Sequence, residues 1–137
     1  MKVFIDTNIL VDVLTVRTDE RLTESSARLL NLKGCENLQF CISTISAATC
    51  FYFLKGAESS IKSFGIIIRD MQILSATKEN LVDALESGNF KDKEDAMQHS
   101  IARRNACDLI ITRNVRHFPH TNIPVMTPED FLQRISE

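Results

Sequence analysis

Asp6 closes the apolar run Val3-Phe4-Ile5 and is followed at once by Thr7 and Asn8. A carboxylate at the end of a buried strand is costly unless it is paired or metal-bound. A second group of acids lies in the far half of the chain. Asp92 and Asp95 stand three residues apart and His99 follows four later, a spacing that puts all three on one stripe of a helix. Ala102 and Ala106 continue that stripe with small side chains, leaving space above the carboxylates. Asp108 opens the next apolar run, and Thr112, Arg113 and Asn114 follow it. Carboxylates that face one crevice repel each other and require a cation, and hard oxygen donors suit Mg²⁺ or Mn²⁺. Plainer roles stand beside this one. Asp92 and Asp95 suit a helix N-terminus, where acids cap and complement the dipole. His99 can be an ordinary hydrogen-bonded helix residue, and Asp108 can cap a turn.

The elements that must position these groups follow from hydrophobic spacing. Val3–Ile5, Leu38–Ser43, Met71–Ala76, Asp108–Thr112 and Ile123–Thr127 read as short buried strands. Between them, 8–14, 24–34, 44–56, 77–87 and 92–106 have helical spacing, and 128–135 carries Pro128 at its first position. Thr44 or Ser46 is the expected cap of the third helix, and Thr77 that of a later one. Residues 58–70 are ambiguous, because Gly65 stands beside three isoleucines, and 15–21 reads as a polar turn. Strands alternating with helices imply an α/β fold: a three-layer α/β/α sandwich around a mostly parallel sheet of four to five strands. In such sheets ligands bind beyond the carboxyl ends of the strands. If the first and fourth strands are neighbours, Asp6 and the Thr112-Arg113-Asn114 segment share one crevice.

Composition narrows the class. The chain has 137 residues, read as one domain over 1–137, with 44% hydrophobic and 25% charged residues and a net charge of −2. No global basic field advertises nucleic acid, so any such binding must use a local patch. Only three apolar residues separate Lys2 from Asp6, too few for a signal-peptide core, and no apolar run is long enough for a membrane span. A soluble cytoplasmic protein with no membrane partner is expected. Cys35, Cys41, Cys50 and Cys107 form no C-x-x-C pair and read as reduced, packed thiols.

Two stretches carry a resemblance. VFIDTNILVDVL at the start and FKDKEDAMQHSIARRNACDLIITRNVRHF in the second half, with STISAATCFYFL between them, resemble the PIN-domain ribonucleases, a family that includes the VapC-like toxins of bacterial toxin–antitoxin pairs. The resemblance spans nearly the whole chain. It implies that Asp6 is the first metal-binding acid and that Asp95 is the acid at the head of the long helix. Asn114 falls where many members carry another aspartate, and Asp108 matches an aspartate frequent in one subgroup. Thr7 and Asn8 match polar residues that hold the first acid and the metal water. The resemblance further implies a Mg²⁺- or Mn²⁺-dependent endoribonuclease acting on single-stranded RNA, a homodimer, and an antitoxin protein as partner. Arg113 and Arg116 then become RNA-backbone contacts, with solvated surface as their alternative.

The chain departs from the family at two places. The usual third-helix acid is absent, because the alignment puts Thr49 there, with Ala48 as the other candidate, and no acid occurs between Glu36 and Glu58. His117 stands where an acid before Phe is common. Asp108 and Asp92 are the candidate substitutes, and Thr112 is expected to orient water or phosphate. The competing reading is a PIN-fold binding module that grips RNA or a protein without cutting. A phosphotransferase with Asp6 as nucleophile would want a second aspartate two residues on, where Asn8 stands, and no glycine-rich turn supports a dinucleotide fold. The apolar stretches CFYFL and FGIII can supply an interface or simply fill the core.

Overall fold

The computed structural model describes residues 1–15, 20–119 and 121–136, with the side chains of 20–22 excepted. Residues 16–19, most of the expected polar turn, lie outside the described residues. Among the described residues five parallel strands form one sheet: β1 (Lys2–Ile5), β2 (Gln39–Ser43), β3 (Gln72–Leu74), β4 (Leu109–Ile111) and β5 (Val125–Met126), in the spatial order β3-β2-β1-β4-β5. Helices α1 (Thr7–Leu14), α2 (Glu20–Leu30), α3 (Thr44–Leu54), α4 (Glu58–Ile68), α5 (Lys78–Glu86), α6 (Lys93–Arg104) and α7 (Pro128–Ile135) connect and follow the strands.

β1 is central, so both of its faces are buried, which explains why three consecutive apolar residues are needed there. Alternation then divides them. Val3 and Ile5 join one core with α1, α2, α3, α4 and α7, through residues such as Leu10, Leu29, Leu54, Phe64 and Phe131. Phe4 points the other way, into a core with Ala84 of α5 and Ala96, Ile101 and Ala102 of α6. Leu109, Ile110 and Ile111 of β4 repeat the pattern. The α/β/α sandwich is therefore what the sequence spacing predicts, and residues 58–68 resolve as helix because Phe64 anchors that segment to the first core.

Local details refine the boundaries. The cap of α3 is Ser43, the last residue of β2, whose hydroxyl accepts from the Ser46 amide at 3.1 Å; neither Thr44 nor Ser46 fills that place. Thr77 caps α5 in a reciprocal box with Asn80. α3 ends in Lys55 and Gly56, both with positive φ, so that glycine is the inexpensive choice at the second of the two. Among the described residues no helix is long and apolar enough to cross a membrane.

Candidate active site

The chain leaves β1 toward β2 on one side and later returns through β4 on the other. The switch point between these neighbours opens a crevice at their carboxyl ends. Registers Val3–Leu109, Phe4–Ile110 and Ile5–Ile111 bring the next residues, Asp6 and Thr112, side by side. Asp6 is also the residue that starts α1. Its Oδ1 accepts from the Thr7 amide at 2.8 Å, and its Oδ2 accepts from the Thr112 hydroxyl at 2.7 Å and from Asn8 Nδ2 at 3.3 Å. The same Thr112 oxygen accepts from Asn8 Nδ2 and from the Asn114 amide. Asp6 is only 6% exposed. Burial raises its carboxyl above the ordinary range, even though the bonds from Thr112 and Thr7 and the charges of His117 and Arg113 pull the other way.

The first turn of α6 supplies the opposite wall. Asp92 is its N-cap, with Oδ1 accepting from the Glu94 and Asp95 amides. Asp95 lies inside the crevice with Oδ2 3.2 Å from His117 Nδ1. Burial first, then repulsion from Asp6 and Asp92, lifts its carboxyl to about 6. Glu94, which the sequence reading passed over, is raised by burial, by Asp92 and by Asp6. A cavity of about 260 Å³ is lined by Asp6, Thr7, Asn8, Val11, Thr49, Phe53, Asp92, Glu94, Asp95, Asn114 and His117. A neighbouring cavity of about 420 Å³ adds Lys91, Arg116 and Asn89 beside Asp92, Asp95 and His117.

A polar cluster beneath the crevice ties its walls together. Gln98 of α6 is buried; its Oε1 accepts from Ser43 at 2.5 Å, and its Nε2 donates to Ser46 at 2.8 Å and to Thr7 at 3.2 Å. Thr7 and Ser46 bond to each other at 2.8 Å. One side chain thus joins α6, α1 and the start of α3.

Four expectations are corrected. Asp108 is not in the crevice: it precedes β4 at the amino end of the sheet, where Oδ2 accepts from the Lys2 amide at 2.8 Å. Because the strands are parallel, the residue before β4 and the residue after β1 lie at opposite ends. Arg113 turns away from the crevice, with Nε 2.6 Å from Oδ2 of the fully buried Asp12. The signal was Asp12 itself, an acid within the apolar helix NILVDVL. His99 does not join Asp95, because four residues of helix carry it about 6 Å along the axis; its ring lies 5.3 Å from that of Phe90 in another cavity. Ala102 is buried in the second core and Ala106 lies past the helix with φ 57°, so neither leaves space above the carboxylates. The apolar stretches divide as well: Cys50, Leu54 and Phe64 fill the core, while Phe51, Tyr52, Phe53 and Ile66 are exposed.

The donor set fits a hard divalent cation. Asp6, Glu94 and Asp95 are oxygen donors around one cavity; burial raises all three toward the protonated form, and repulsion from Asp6 and Asp92 adds to it at Glu94 and Asp95, a cost that a bound cation would relieve. Among the described residues no three such side chains already converge on one point as ligands.

A family model described as PIN domain matches residues 2–116. Ribonuclease VapC1 of Aquifex aeolicus (strain VF5) is 30% identical over 141 aligned residues, covering 97% of this chain and 94% of that protein. Among solved structures, VapBC2 from Rickettsia felis bound to a promoter DNA fragment has a chain that superposes with a TM-score of 0.72 at 19% identity, covering 93% of this chain and 98% of that one. A toxin–antitoxin complex from Klebsiella pneumoniae gives 0.69 at 20% identity, covering 92% and 97%.

Proposed function

The chain belongs to the PIN domain family, and from that membership and the carboxylate crevice we infer that it is a divalent-metal-dependent endoribonuclease of the VapC toxin type. The observation that carries this reading is Asp6, buried at the β1–β4 switch point and facing Asp95 across a cavity open to solvent. Asp6 and Asp95 would hold the cation, with Asn114 at the rim, and Mg²⁺ or Mn²⁺ suits these oxygen donors. When bound, such an ion neutralises phosphoryl charge and lowers the pKa of a coordinated water.

The chain's own residues do the rest. Thr112, Asn8 and the Thr7 amide fix both oxygens of Asp6, so its carboxylate is held in one orientation before any ligand arrives. Asp92 fixes the first turn of α6, and with it the direction of Asp95. Arg116 and Lys91, beside Asp95 in the adjoining cavity, are the cations available to a phosphate backbone of single-stranded RNA. Asp108 and Arg113 have no part in the chemistry on this reading.

Partners follow from the same family. The neighbours solved as toxin–antitoxin complexes support an antitoxin protein as partner. The exposed Phe51, Tyr52 and Phe53 of α3 and Ile66 of α4 suit an apolar contact between two copies, which light scattering with and without Tyr52→Glu would test. The binding-module alternative draws on one feature, the absence of an acid from α3.

The deciding experiment incubates the purified chain with fluorescent single-stranded RNA and Mn²⁺ or Mg²⁺, beside Asp6→Asn. Cleavage that chelation stops and Asp6→Asn lowers by ~100-fold or more supports the reading. Binding without cleavage favours the binding module. Cleavage unchanged in Asp6→Asn removes the activity from this site.

A further inference from the structure

α3 carries no carboxylate: its residues Thr44–Leu54 read TISAATCFYFL. The polar residue that α3 brings to the crevice is Thr49, which lines the same cavity as Asp6, Asp95 and Asn114. The Thr49 hydroxyl donates across the crevice to Glu94 Oε1 at 3.5 Å. Glu94 stands one residue before Asp95 in the first turn of α6, and successive helical residues diverge by about 100°. The two carboxylates therefore reach different walls. Asp95 meets His117, and Glu94 meets α3. Asp6 is among the charges that act on Glu94, so the two also share a field.

We propose that Glu94 supplies from α6 the metal-binding carboxylate that α3 lacks, with Thr49 steering it toward the position shared by Asp6 and Asp95. The inference rests on the metal-dependent reading given above. A cation responds to the charge and the oxygen atoms around it, not to the helix that delivers them, so a glutamate long enough to cross the crevice replaces an acid rooted on the far side. The carboxylate absent from α3 is then replaced by one from α6. A glutamate in the first turn of a helix also complements the dipole. If that were its only duty, removing it would lower stability and leave metal binding untouched.

The test is Mn²⁺ titration of the full chain by calorimetry, with thermal unfolding to check that each variant folds. The variants are Glu94→Gln, Thr49→Glu, the two combined, and Asp6→Asn. Glu94→Gln should weaken Mn²⁺ binding by about tenfold or more, in the range that lost support around a metal ordinarily costs. Thr49→Glu should restore it in the combined variant to within about threefold of wild type, because an acid returns to the other wall. Mn²⁺ affinity in Glu94→Gln equal to wild type, with Asp6→Asn binding none, would overturn the proposal and leave the metal-dependent ribonuclease reading standing. A loss in Glu94→Gln that Thr49→Glu does not restore would overturn the exchange of helices. Absence of Mn²⁺ binding in folded wild-type protein would overturn both the proposal and the reading beneath it.

Discussion

β1 and β4 are joined by parallel hydrogen bonds, and each end of the pair carries an aspartate. At the carboxyl end Asp6 is buried, and Glu94 and Asp95 share its field. At the amino end Asp108 is exposed and accepts one backbone amide, that of Lys2. The residue type and the strand pair are the same in both places. What differs is the direction of the chain. At the carboxyl end the strands run into helix starts and a loop that converge, and the first amide of α1, that of Thr7, donates to Asp6. At the amino end the chain arrives from α6 through Asn105–Cys107 and closes over Lys2, whose Nζ donates to the Asn105 carbonyl. A carboxylate lies buried against a cavity at one end and tethers a strand at the other.

The sharpest way to break this contrast is to neutralise both aspartates separately. Asp6→Asn should lower RNA cleavage by ~100-fold or more, whereas Asp108→Asn should leave it within about twofold. Equal losses would mean that the two ends are not distinct. Next in size is the ion pair behind the crevice. Arg113→Met removes a partner from the fully buried Asp12 and should cost ~2–4 kcal/mol in urea unfolding. Arg116→Met should leave stability unchanged and raise KM for RNA a few-fold at low salt. A reversed outcome would return Arg113 to the substrate surface.

Gln98→Leu tests whether the crevice depends on the polar cluster beneath it. The substitution strands hydroxyls of Ser43, Ser46 and Thr7, which can partly re-pair with one another, so a cost of ~1–2 kcal/mol is expected. Cleavage should fall by about tenfold, chiefly in kcat, if the walls shift. A stability loss without a kinetic one would make Gln98 a core residue only.

The smallest effect concerns pH. The Asp95 carboxyl stands at about 6 in the folded chain against an ordinary 3.8. An acid raised on folding binds more protons in the native state between those values, so its penalty shrinks as pH falls from about 6 toward 4. Metal-free protein should therefore gain a few degrees of Tm on going from pH 7 to pH 5. Below that range stability turns down, because Asp83 of α5 is held low by Arg104 and Ser100 toward the far end of α6 and loses those bonds on protonation. Mn²⁺ should stabilise more at pH 7 than at pH 5, as protons compete for the same oxygens. A metal-free Tm that falls steadily from pH 7 to pH 5 would contradict the raised carboxyl.

Elements with a strong period were legible before the structure. Val3–Ile5 and Asp108–Thr112 read as buried strands, and their adjacency, a condition in the sequence and a fact of the sheet, places Asp6 beside Thr112. Asp95 was legible as the acid at a helix start, and Thr49 as the place where α3 lacks one. Glu94 was not, because nothing in the sequence of α3 points to a side chain that meets Thr49 from a helix 45 residues away. Arg113 was misread for a related reason. Its position after β4 fixes its backbone at the crevice, but its side chain follows the buried charge of Asp12. Spacing reports which residues share an element; it does not report which way a long side chain turns once elements meet.

Gln98 has a last consequence, which concerns heat and order. Because a single buried amide already fastens α6 to α1 and to the root of α3, an arriving ion finds walls that have been assembled in advance. Little backbone then remains to be frozen on binding. The calorimetric heat-capacity change of metal uptake should be small, and amide hydrogen exchange in α1 and α6 should already be slow in the absence of metal.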